Sequence, residues 1–271
     1  MRTDLHQHLL PEELLAALAR RTGSPRIVRD GRGWTLRLAG EPACVLDLAD
    51  HDPAARAMLA EQDGLDRVVL SISSPLGIES LPAEEAEPLL AAYNRGVLEL
   101  GGPFAAWGAV GLDGAGPDAV DALLDAGAVG VTLPAAAVVS HHGLELTAPL
   151  LRRLEARGAP LFLHPGPAPW NLPQAAERQA PGWWPAMTSY VADMSAAWHA
   201  FAAWGRPRHP RLRVLFAILA GGGPPPTRSG RRAACCVTLS PTPRSSGRSA
   251  RDAYAASASS PTGIPTWLPC A

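Results

Sequence analysis

Two histidines near the start of the chain, His6 and His8, are placed to do metal chemistry. They lie two positions apart in Asp4-Leu5-His6-Gln7-His8, and residues two apart on a β-strand face the same side. A third histidine, His164, ends the apolar run Pro160-Leu161-Phe162-Leu163. Two unrelated histidines are the alternative for the first pair, and the third argues against it. Three neutral imidazoles leave a coordination position for water or substrate, so the pattern predicts a metal site.

Repeated βα units are the elements that must position these histidines. Apolar, strand-like runs alternate with amphipathic stretches, a pattern typical of a parallel sheet covered by helices. Strands are predicted at 2–8, 67–73, 104–112, 128–134, 159–164 and 212–219. Helices are predicted at 11–21, 52–64, 83–100, 117–126, 144–157 and 184–204. Residues 26–39, with Asp30-Gly31 between two short runs, predict an inserted β-hairpin.

Two segments of the chain resemble the metal-dependent amidohydrolase superfamily. Asp4 to Pro11 is similar to the end of that family's first barrel strand, and His164-Pro165 to the end of its fifth. The resemblance is narrower to the branch of aminocarboxymuconate-semialdehyde decarboxylase and related nonoxidative decarboxylases and hydrolases. It covers about residues 1–223 and implies an α/β fold, a (β/α)8 barrel of the TIM type with its active site at the carboxyl ends of the strands.

The resemblance also implies a cofactor, a substrate class and an assembly. The cofactor would be one divalent metal ion, most simply zinc, held by His6, His8 and His164. The substrate would be a small carboxylate or a cyclic molecule, which the enzyme would hydrolyse or decarboxylate. Arg37 resembles an arginine that holds a substrate carboxylate, although an exposed hairpin arginine is the simpler alternative. Trp184 could line the pocket or pack within a helix, and relatives often form homodimers.

Two expected proton-handling groups are not found where the family places them. Relatives carry a histidine at the end of the sixth strand, and the matching position here is Ile218. They also carry an aspartate at the end of the eighth strand, which ligates the metal, and no residue of this sequence matches it. The catalytic residues are therefore unknown. A relative that binds metal or ligand without turnover is the alternative to an active enzyme.

Composition restricts the class of protein and the type of metal site. The chain has 271 residues and no lysine, so it cannot form the carbamylated lysine that bridges two metals in some amidohydrolases. This favours a mononuclear site. The formal charge of −1 argues against a nucleic-acid surface. No apolar stretch reaches 18 residues and no signal region precedes the first acid, so we expect a cytoplasmic protein with no membrane partner.

The sequence changes character after Gly221-Gly222-Gly223. Residues 1–223 contain 18 arginines and 24 acids, whereas 224–271 contain six arginines, one acid and many serines, threonines and prolines. No helix or strand period is found in the second part. We therefore expect a barrel domain at 1–223 that is incomplete at its last two strands, followed by a low-complexity tail. The tail is either naturally disordered or an out-of-frame translation.

Overall fold

The computed structural model describes residues 1–31, 33–39, 41–171, 184 and 188–217. Its strands, in chain order, are β1 (Thr3–Gln7), β2 (Arg26–Asp30), β3 (Gly33–Arg37), β4 (Cys44–Leu46), β5 (Arg67–Leu70), β6 (Phe104–Ala109), β7 (Gly130–Pro134), β8 (Leu161–His164) and β9 (Val214–Phe216). Six of them form one parallel sheet in the order β1-β5-β6-β7-β8-β9. All six strands predicted from the sequence are therefore confirmed, each with a shorter hydrogen-bonded part.

Helices connect the strands of the parallel sheet. They are α1 (Glu12–Ala19), α2 (Pro53–Gln62), α3 (Ala83–Leu98), α4 (Pro117–Asp125), α5 (His141–Ala156), α6 (Tyr190–Ala200) and α7 (Arg206–Arg208), with a π-helical turn at Phe201–Gly205. The Asp52 side chain accepts from the Ala54 N–H at the start of α2, where Pro53 occupies the first helical position. Ser140 caps α5 in the same way, so this helix begins three residues before the predicted start at 144.

The predicted hairpin at 26–39 is part of a small antiparallel sheet. Strands β2 and β3 pair with Arg26 opposite Arg37, which confirms the hairpin. A third strand, β4, pairs with β3 and places Leu46 opposite Trp34. The sequence analysis missed β4 because three residues are too few for an alternating pattern to be recognised.

Aromatic side chains fill the inside of the parallel sheet below the carboxyl ends of its strands. The rings of Trp107 and Phe162 are stacked with centroids 5.0 Å apart, and both side chains are buried together with Val69. The Trp107 indole N–H donates to the Leu5 carbonyl at 2.9 Å, so the ring's polar atom is satisfied. These contacts of Trp107 fix the positions of β1, β6 and β8 relative to one another.

Parallel strands joined by helices in sequential order are the arrangement of a (β/α)8 barrel. The described residues supply six strands of such a barrel, and the prediction that the last two strands are lacking falls on residues outside them. The predicted domain boundary at 223 and the tail at 224–271 lie outside the described residues and stay predictions. In the part of the chain that is described, no helix combines the length and apolarity needed to cross a membrane.

Candidate metal centre

Three imidazoles meet at the carboxyl ends of β1 and β8. His6 lies in β1, His8 directly follows it, and His164 is the last residue of β8. His8 Nε2 lies 3.1 Å from His6 Nε2 and 3.1 Å from His164 Nε2, and the candidate ligand atoms are all within 4.8 Å of one another. The three histidines singled out in the sequence are therefore neighbours in space. No fourth histidine, cysteine, aspartate or glutamate of the described residues joins this group.

Backbone carbonyls determine the tautomers of two of these rings. His8 Nδ1 is 2.9 Å from the carbonyl oxygen of Ser71, which follows β5. His164 Nδ1 is 2.8 Å from the carbonyl oxygen of Pro165. A carbonyl oxygen can only accept, so each Nδ1 carries the proton and each Nε2 presents a lone pair. Metal-bound histidines typically have a partner of this kind on the other ring nitrogen.

The contact between His8 and His164 is consequently one between two hydrogen-bond acceptors. Two neutral imidazole lone pairs 3.1 Å apart repel unless a proton or a cation lies between them. Two nitrogens bound to one zinc at about 2.0–2.1 Å with tetrahedral angles lie about 3.3–3.4 Å apart, close to the separation seen here. The donor atoms and their spacing therefore fit a divalent metal ion.

All three imidazoles are held in the neutral form that a metal requires. Burial and, to a smaller extent, the neighbouring His8 lower the pKa of His6 to about 4, while Asp4 opposes the shift. Burial is also the largest cause of the lowered pKa of His8. For His164, burial and the two other histidines hold the pKa well below its usual value of 6.5. At neutral pH the group therefore carries no charge of its own.

Side chains from distant parts of the chain hold the segment that follows β1. Arg56, on α2, donates to the His8 carbonyl at 2.8 Å. His51 Nδ1 accepts from the Leu10 backbone N–H at 3.1 Å, and the ring is buried. The Asp4 carboxylate accepts from the His6 backbone N–H at 3.0 Å. These bonds limit the movement of His6 and His8.

The remaining site residues predicted from the sequence are not gathered around the histidines by any contact recorded for the described residues. Arg37 is partly exposed and its Nη2 lies 3.6 Å from the Asp30 carboxylate. Trp184 is half-buried, and its carbonyl accepts from the Thr188 hydroxyl. Their substrate-binding roles stay predictions. Ile218, which stands at the expected catalytic position, lies outside the described residues.

A buried carboxyl in the loop between β5 and α3 was missed by the sequence analysis. Glu79 follows β5 and is 0% exposed. The Ser74 hydroxyl donates to its Oε1, while Oε2 has no partner in the described structure. The Tyr93 hydroxyl is likewise buried and unpartnered. No periodicity marks this position, because Glu79 lies in a short turn between a strand and a helix.

The buried carboxyl predicts a specific pH dependence of stability. Burial raises the pKa of Glu79 above its ordinary value of 4.5. In the unfolded chain the Glu79 carboxyl ionises at a lower pH than it does in the folded protein. Protonated Glu79 therefore contributes stability that is fully present below about pH 4.5. This contribution is lost as pH rises through the folded-state pKa. Glu79→Gln, which cannot ionise, should therefore gain stability relative to the unchanged chain as pH rises from 4.5 to 8.

Urea unfolding of metal-free protein at several pH values measures this effect. The histidines titrate in both proteins, so their contributions cancel in the difference between the two free energies of unfolding. A difference that stays constant between pH 4.5 and 8 would contradict the prediction.

Comparisons with known proteins found matches among solved structures but none among family models or curated sequences. No family model matches the sequence, and no curated protein is significantly similar to it. Among solved structures, a crystal structure of amidohydrolase II is 21% identical with a TM-score of 0.55, covering 79% of this chain and 66% of that one. IDCase of Metarhizium anisopliae is 16% identical with a TM-score of 0.63, covering 80% and 64%.

A third neighbour was crystallised with a metal and a small aromatic acid. This is 5-carboxyvanillate decarboxylase of Novosphingobium aromaticivorans with manganese and 4-hydroxy-3-methoxy-5-nitrobenzoic acid. It is 15% identical with a TM-score of 0.53, and the match covers 80% of this chain and 64% of that one. At such identities the likeness establishes the fold, which is the barrel that the sequence resemblance implied. The chain spans about two thirds of the length of these proteins.

Proposed function

We propose that the chain is a metal-dependent enzyme of the amidohydrolase type, a hydrolase or nonoxidative decarboxylase that acts on a small carboxylate or a cyclic substrate. The observation that carries the proposal is the contact between the lone pairs of His8 and His164. Such a contact is unfavourable in a metal-free protein and favourable around a cation. The neighbours with the same fold include a decarboxylase crystallised with a metal.

The proposed cofactor is one divalent metal ion, and zinc is the proposed identity. Three imidazole nitrogens with an open position are a common set for catalytic zinc. Manganese, found in one neighbour, is the competing ion, and it favours oxygen ligands more than zinc does. An all-nitrogen set in the described residues supports zinc.

Each residue of the centre has a definite part in this proposal. His6, His8 and His164 would hold the ion through Nε2, and the bound ion would supply a Lewis acid for a substrate oxygen. The carbonyls of Ser71 and Pro165 keep the two Nδ1 protons in place and so prevent the rings from presenting N–H to the ion. Phe162, whose ring centroid is 5.1 Å from that of His6, keeps water from one side of the ligands.

Substrate binding through Arg37 and Trp184 is part of the same proposal. A guanidinium binds a carboxylate with two parallel hydrogen bonds, and its present partner Asp30 is 3.6 Å away, too far for a strong hydrogen bond. Arg37 could therefore exchange Asp30 for a substrate. The indole of Trp184 offers a flat apolar surface to a planar substrate.

Arg37→Ala should weaken the binding of a planar aromatic acid by about 10-fold or more, since a hydrogen bond to a charged group contributes about 1.5–3 kcal/mol. Titration calorimetry of zinc-loaded protein with 4-hydroxy-3-methoxy-5-nitrobenzoate measures this dissociation constant. The matched control is Arg29→Ala, which removes an arginine of the same small sheet that stacks on Trp34. Equal affinities of the two variants would show that Arg37 does not bind the substrate carboxylate.

A second candidate function is binding of metal and ligand without turnover. The observation that favours it is Ile218 at the position of the expected acid/base histidine, together with the unmatched aspartate of the eighth strand. An activity screen of the metal-loaded chain against aromatic carboxylates, lactones and amides distinguishes the two candidates. Homodimer formation and a cytoplasmic location stay predictions from the sequence.

A further inference from the structure

We propose that Ser74 and Glu79 are positioning residues that fix the orientation and tautomer of the His164 imidazole. They do so through the segment Pro165–Pro167, against which the loop between β5 and α3 is packed. The inference rests on the proposed function, since it concerns a residue proposed to hold the metal.

The first step is the link between His164 and the residue that follows it. The His164 Nδ1–H donates to the Pro165 carbonyl at 2.8 Å, a bond between adjacent residues. The direction of that carbonyl depends on the path of the backbone through Gly166. Any shift of this segment therefore alters the direction in which His164 Nε2 points.

The second step is the packing of Pro165–Pro167 against the β5–α3 loop. A Cβ added at Gly166 would overlap the Ser74 side chain and backbone, so the two segments approach as closely as glycine allows. The Ser80 hydroxyl donates to the Pro167 carbonyl at 2.7 Å. On the other side, the Ala136 N–H donates to the Gly166 carbonyl at 3.3 Å. The segment is thus held between two loops.

The third step is the bond that holds Ser74 in place. Its hydroxyl donates to Glu79 Oε1 across a turn in which both residues are 0% exposed. Keeping a carboxyl in this apolar environment with Oε2 unpartnered costs free energy. If the only role of Glu79 were to stabilise the fold, an apolar side chain at this position would give a more stable protein. The position of Glu79 is explained if its bond to Ser74 keeps the loop against Gly166.

Histidine-labelled protein tests the proposal directly. Nitrogen NMR of the full chain, metal-free and zinc-loaded, reports the tautomer of each imidazole. In metal-free Ser74→Ala, His164 should lose its single Nδ1–H tautomer, while His8, held separately by the Ser71 carbonyl, keeps its own. The dissociation constant for zinc should rise about 10-fold, the lower end of the effect of losing a supporting partner.

Two further variants separate positioning from general stability. Thr147→Val removes another buried hydroxyl, which bonds within α5, and should leave the His164 tautomer and zinc affinity unchanged. Glu79→Gln keeps an oxygen that accepts from Ser74 and should retain the His164 tautomer and the zinc affinity of the unchanged chain, whereas Glu79→Leu should lose both as Ser74→Ala does.

A Ser74→Ala protein with the His164 tautomer and zinc affinity of the unchanged chain would overturn the inference. If the unchanged chain binds no zinc while its His164 tautomer still depends on Ser74, the metal proposal fails and the positioning role stands. The two failures are therefore distinguishable.

Discussion

Purified protein is expected to contain about one equivalent of a divalent metal, and the double variant His6→Ala, His8→Ala to contain none. The reason is that two of three imidazole ligands are removed and no fourth ligand of the described residues can replace them. Elemental analysis after dialysis against metal-free buffer measures the content. His142→Ala, which removes an exposed histidine of α5, is the control and should retain the metal. Full metal content in the double variant would refute the assignment.

The same site should couple metal binding to folding. An ion that binds only the folded chain stabilises it by about 2.7 kcal/mol when its free concentration is 100 times its Kd. A chelator should therefore lower the thermal unfolding temperature of the unchanged chain and of His142→Ala. The double variant should unfold at one temperature with and without chelator. A chelator effect that persists in the double variant would locate the ion elsewhere.

Turnover by the chain as written is expected to be slow, about 10²–10⁴-fold below that of a version with both proton-handling groups restored. The estimate follows from the usual contribution of general acid–base catalysis, which Ile218 cannot provide. The lack of a match to the strand-eight aspartate would also lower the affinity for the metal. We therefore expect Ile218→His alone to restore less activity than Ile218→His combined with a reconstructed C-terminal strand.

The measurement compares three proteins against aromatic carboxylates, small lactones and amides. These are the chain as written, Ile218→His, and the version with a reconstructed in-frame C-terminus. His164→Ala in each background shows whether the activity depends on the metal centre. Ordinary enzymatic rates from the chain as written, abolished by His164→Ala, would show that the site is complete without Ile218→His.

Much of the parallel sheet could be predicted from the sequence because its signal is local. Short apolar runs, such as Val68-Val69-Leu70 and Leu161-Phe162-Leu163, mark strands of the sheet in the sequence before any pairing is known. Element boundaries were less accurate where a side chain decided them, as Ser140 did for α5. Strand β4 was missed since its three residues are defined by pairing with β3.

The three histidines of the candidate metal centre could also be singled out from the sequence. The spacing of His6 and His8 has a direct geometric meaning on a strand, and His164 ends an apolar run whose carboxyl end must lie at the same edge of a parallel sheet. Residue type and strand period are properties of short segments, so they can be recognised before the fold is known. The substrate-binding roles of Arg37 and Trp184 have no such local basis and stay predictions.

The tautomers and the burial of those three histidines were decided only by the tertiary structure. The proton on His8 Nδ1 is held by the carbonyl of Ser71, 63 residues away along the chain, and the His164 loop packs on Ser74. Burial, which lowers the pKa of all three imidazoles, likewise depends on how distant segments cover the site. The sequence alone determined which atoms could bind a metal, and the fold determined that their lone pairs converge, because convergence requires backbone groups that are neighbours only in space.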